Sequence, residues 1–79
     1  MNIVFNRDKL IARGVNEETK NKAISIFQLD RVYDGDEHIT KETALEVLEE
    51  NNPLLTLEFK NIEAIDLLIR HLEGLKNGN

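Results

Sequence analysis

The stretch NEETKNKAISIFQL, residues 16–29, decides the fold because it satisfies two periodicities at once. Asn16 is a good helix N-cap, and Glu17 and Glu18 would lie in the first turn, where the helix dipole favours anions. Ala23, Ile24 and Phe27 then share a face, which predicts a helix over 17–29. Ile24, Ile26 and Gln28 also fall at period two, so a strand is the alternative for the same residues.

Upstream, Asn2 to Phe5 is apolar and β-branched and reads as a short strand. Asn6 can cap a helix over 7–13, with Gly14 as its C′ residue and Val15 beyond it. Helices 7–13 and 17–29 together have the outline of a helix-turn-helix, with Leu10, Ile11, Val15, Ala23 and Ile26 as packing positions. Downstream, 31–33 is a candidate third strand before the turn signal Asp34-Gly35.

Thr40 caps a helix over 40–51, with Ile39 placed to staple against Ala44. Its apolar face is Ala44, Leu45, Val47 and Leu48, and Asn51, Asn52 and Pro53 end it. Leu55, Leu57 and Phe59 alternate with Thr56, Glu58 and Lys60, the pattern of a half-buried strand over 54–60. Asn61 then caps a helix over 62–75 whose broad apolar face carries Ile62, Ile65, Leu68, Ile69, Leu72 and Leu75. The expected fold is one small α+β domain spanning 1–79. Strands 2–5 and 54–60 would be neighbours, packed against three or four helices.

A chain of 79 residues buries only about 60 to 65% of the surface its unfolded state exposes, so stability leans on any further burial. Its 41% hydrophobic content is enough for a real core. The absence of cysteine excludes a disulfide framework and a thiolate metal site. With apolar runs of only three or four residues, as in Ile3 to Phe5, and no signal-peptide pattern, the expected location is cytoplasmic with no membrane partner. The Asn-rich, Lys/Glu-rich composition suits an accessory protein of phage or mobile-element type.

Charge is divided by position. Residues 1–31 hold six Lys/Arg against four Asp/Glu, and residues 32–79 four against eleven. At the basic end Arg7, Lys9, Arg13, Lys20 and Lys22 would supply phosphate contacts to a helix-turn-helix. At the acidic end Glu42, Glu46, Glu49 and Glu50 fall at i, i+4, i+7 and i+8 and form a ridge opposite the apolar face. Like charges at this spacing cost a helix a few tenths of a kcal/mol, which suits a face that meets a basic partner. Asp34, Asp36 and Glu37 would extend the potential from the preceding turn. Leu67 points about 140° from Ile62 by helical geometry, off the apolar face, and is a candidate contact for a partner or a second copy.

Catalytic chemistry finds no footing. Setting Gly35 at the sixth position of a calcium loop puts Val32 and Lys41 where oxygen ligands are required. His38 and His71 have no metal-pair spacing, Ser25 is the sole serine and lies in an apolar segment, and the isolated glycines cannot cradle phosphate. The expectation is a non-enzymatic module without metal or cofactor. It would act as an inhibitor or adaptor docking on another protein's basic surface, with homodimerisation open. The alternative is a small DNA-binding regulator using residues 7–29.

Overall fold

The computed structural model describes residues 2–33 and 38–78. It is an α+β fold in the order β1 (Lys9–Val15), β2 (Lys22–Gln28), α1 (Lys41–Glu50), β3 (Leu55–Phe59) and α2 (Ile62–Lys76). The strands form one antiparallel sheet in the order β1-β2-β3.

The segment 16–29 resolves in favour of the strand, but its helix signal is real and is used once. The Asn16 side-chain oxygen accepts from the backbone N–H of Glu18 (2.9 Å) and of Thr19 (3.2 Å), capping a single turn. Lys20 takes a positive φ of 64°, which a helix cannot continue. Asn16 N–H to Asn21 C=O (2.9 Å) then closes the hairpin loop. From Lys22 onward period two prevails, because β2 finds a partner on each side while a helix would find none. The predicted helix over 7–13 is likewise a strand. Asn6 caps only a local turn, its Oδ1 accepting from Arg7 N–H (2.8 Å), and Gly14 lies within β1 opposite Ala23 rather than at a helix end. The helix-turn-helix outline is therefore an antiparallel hairpin, and the described residues hold two helices rather than three or four.

Residues 2–5 are not a strand. Strand β3 pairs instead with β2, Ile26 with Leu55 through Lys22 with Phe59, and its other edge has no strand beside it among the described residues. Residues 31–33 are not a strand either, although Tyr33 N–H donates to Arg7 C=O (3.0 Å) and Leu29 N–H to Asp8 C=O (2.8 Å), which draws the chain after β2 alongside residues 7–8. The Asp34-Gly35 turn falls outside the described residues.

The remaining elements form as the sequence predicts. Thr40 Oγ1 accepts from Thr43 N–H (3.1 Å) at the start of α1, and Asn51 turns extended at its end, ahead of Pro53. Asn61 Oδ1 accepts from Ala64 N–H (2.9 Å) to start α2.

Directly opposed residues of an antiparallel sheet share a face, so the register sorts the side chains. Leu10, Ala12, Ala23, Ser25, Phe27, Thr56 and Glu58 lie on a first face, where Leu48 of α1 joins Phe27 in lining a shallow hollow. Ile11, Arg13, Val15, Lys22, Ile24, Ile26, Leu55, Leu57 and Phe59 lie on the second, beside α2. Among the described residues only Ile26, Phe27 and Leu29 are buried hydrophobics, and no helical residue is buried.

Candidate functional site

The acidic ridge of α1 forms as its spacing implies. Glu42, Glu46, Glu49 and Glu50 are all exposed, and no ion pair among the described residues reaches them. Glu46 and Glu50 also edge a cleft of about 410 Å³ shared with Gln28, Asp30, Tyr33 and Thr43. The Arg31 guanidinium sits 4.1 Å from the centre of the Tyr33 ring, a cation–π contact at the side of that cleft. Asp34, Asp36 and Glu37 lie outside the described residues.

The five basic residues do not gather on one surface. Lys9 is almost buried, its side chain 6% exposed and its ammonium 2.7 Å from Asp8, so it is engaged within the fold and does not face solvent. Arg7 is exposed in the turn before β1. Lys20 stands in the hairpin loop 3.7 Å from Glu17. Arg13 and Lys22 share the second face, where they flank apolar side chains. Lys20 and Lys22 do meet Lys60 around Phe59 and Asn61.

Leu67 is half exposed as its position implies, but it is one of several: Ile62, Ile69, Leu72 and Leu75 of α2 are also exposed. The face expected to be core therefore remains largely open.

Sequence reasoning missed a polar clamp on the first face. Glu58 accepts from Thr19 Oγ1 (2.9 Å), Asn16 Nδ2 (2.9 Å) and Asn21 Nδ2 (3.2 Å), tying the hairpin loop to β3. These bonds, from Thr19 first and then Asn16 and Asn21, hold its carboxyl below the ordinary range. Beside it the Ser25 and Thr56 hydroxyls share a hydrogen bond (2.9 Å). A second lowered carboxyl, Asp8, is held by Lys9 and then by Gln28, whose Nε2 donates at 2.9 Å. Both acids have all their partners within the chain, so they serve the fold.

Among the described residues no three His, Cys, Asp or Glu side chains gather to hold a metal ion, and no helix is long and apolar enough to cross a membrane. No family model, curated protein or solved structure matches the chain. The site chemistry is accordingly that of surfaces: an acidic helix ridge on one side of the sheet and an apolar groove on the other.

Proposed function

We propose that the protein is a cytoplasmic, non-enzymatic docking module. The α1 ridge engages a basic surface of another protein, which it inhibits or recruits by occupying that surface. What carries this reading is the ridge itself: four carboxylates in line on a capped helix, unpaired among the described residues. Such a field accelerates encounter with a basic partner and fixes its orientation. The cleft at Tyr33 would accept an apolar side chain beside the charged contact. DNA binding has less support, because residues 7–29 form a hairpin with its cations dispersed and no recognition helix.

The test is affinity capture with and without nuclease, comparing wild type with the double variant Glu42→Lys, Glu46→Lys. The wild type should retain a stoichiometric protein that the variant loses, with an unchanged circular-dichroism melt because both positions are exposed. Equal capture by the two would show that the ridge is not the binding surface. Recovery of nuclease-sensitive material alone would favour the DNA-binding alternative.

A further inference from the structure

The second face of the sheet is left unfinished by the chain's own helix. α2 packs through Ala64, Ile65 and Leu68, which are partly buried. Its flank of Ile69 and Leu72 overlooks a groove of about 570 Å³ floored by Arg13, Val15, Lys22 and Ile24. Those two α2 residues are 46% and 53% exposed, and Val15 is 54% exposed. The wall is apolar, Val15 and Ile24 give the floor its apolar patch between Arg13 and Lys22, and the side over β1 is open.

The whole molecule exposes more surface than a compact monomer of its mass. A folded monomer of 9.1 kDa exposes about 4,900 Å², whereas this chain exposes 6759 Å². Its radius of gyration is 14.1 Å, against about 11.6 Å for a compact domain of this length. The excess area is about 1,900 Å². An interface of ordinary size takes about 800 Å² from each partner, so the excess has room for one at the groove, the rest being spread over exposed residues such as Val4, Phe5, Val32 and Leu45.

Charge identifies the occupant. On α2, Asp66, Glu73 and Lys76 all lie within about 60° of Ile69 by helical geometry, so the outer rim of the groove carries two acids and one base. Arg13 and Lys22 stand at its floor, and none of these five has an ion-pair partner among the described residues. The chain thus carries an apolar helix edge with a rim acidic on balance, and an apolar floor with basic residues. A two-fold axis makes such patches meet reciprocally, each copy's helix on the other's floor.

We infer that the groove is filled by α2 of a second copy. The result is a two-fold homodimer in which Ile69 and Leu72 of each chain cover Val15 and Ile24 of the other, and Asp66 and Glu73 face Arg13 and Lys22. This surface is separate from α1, whose ridges would remain free on the outside of the dimer, so partner capture can fail while dimerisation holds.

Sedimentation equilibrium over a roughly hundredfold concentration range reads the association directly. The wild type should reach the dimer mass, and Ile69→Lys should weaken association at least about 100-fold, since it replaces an apolar anchor at the centre of the interface with a charge that dimerisation must desolvate. Two charge variants keep the test independent of folding. The double variants Arg13→Glu, Lys22→Glu and Asp66→Lys, Glu73→Lys should each dimerise poorly alone, through like-charge contacts, and should form a mixed dimer when combined. A wild type that stays at the monomer mass, a dimer indifferent to Ile69→Lys, or a mixture that fails to pair would overturn the proposal.

Discussion

The two faces of the sheet are finished in different ways. On the first, Phe27 lies beside Leu48 of α1, Ser25 and Thr56 bond across the strands, and Glu58 takes three donors from the hairpin loop. On the second, Ile24, Leu57 and Phe59 present carbon, and α2 covers only part of it. Hydrogen bonds are directional, so the polar groups of the first face must find partners at fixed positions, and the chain supplies them. Hydrophobic burial is non-directional and roughly proportional to area. An apolar face can therefore be completed by any complementary surface, including one from outside the chain.

The contrast is broken most severely at β2, the strand that serves both faces. Phe27 and Ile26 are neighbours in sequence, each 5% exposed, one on each side of the sheet. Phe27→Ala should cost about 3–5 kcal/mol, against a total of about 4–12 kcal/mol for a domain of this length. A loss of that size should remove most of the cooperative thermal transition, or lower it by tens of degrees, in a circular-dichroism melt. A melt lowered by only a few degrees would mean that the first face contributes little to the core.

A smaller effect sharpens the polar side of the comparison. The carboxyl of Glu58 is held below its ordinary value of 4.5 by donors from Thr19, Asn16 and Asn21. The folded state therefore binds its proton less readily than the unfolded chain. The stabilisation is complete above pH 4.5 and is lost as pH falls through the lowered folded value. Glu58→Gln keeps the shape and removes the charge, so its melting temperature should fall less steeply than that of the wild type on acidification below pH 4.5. Parallel acid profiles for the two proteins would show that the clamp is not formed in solution.

The same contrast explains which parts of the fold were legible in the sequence. α1, β3 and α2 carry their own signals: Thr40 and Asn61 as caps, Pro53 as a stop, and the unambiguous alternation of Leu55, Leu57 and Phe59. The hairpin does not. Asn16 caps a turn in earnest, and Ile24, Ile26 and Phe27 fit both periods, so the outcome rests on pairing with β1 and β3, which no local window contains. Residues 2–5 fail in the opposite sense: their side chains are β-branched, yet the outer edge of β3, where the strand was expected, has no strand beside it among the described residues. The α1 ridge was readable because one helix holds all four acids. The Glu58 clamp was not, because its donors lie 37 to 42 residues away along the chain. The open groove was hidden for a related reason: the broad apolar stripe of α2 reads as core, and only the sheet's width shows that the stripe is not fully covered.

The central claim is that the second face is completed by another copy of the chain, and thermal unfolding at graded protein concentrations tests it most directly. A fold stabilised by association gains free energy by mass action. The midpoint should therefore rise steadily with concentration, and the rise should vanish in Ile69→Lys. A wild-type midpoint independent of concentration would contradict the account and leave the open face a property of the lone chain.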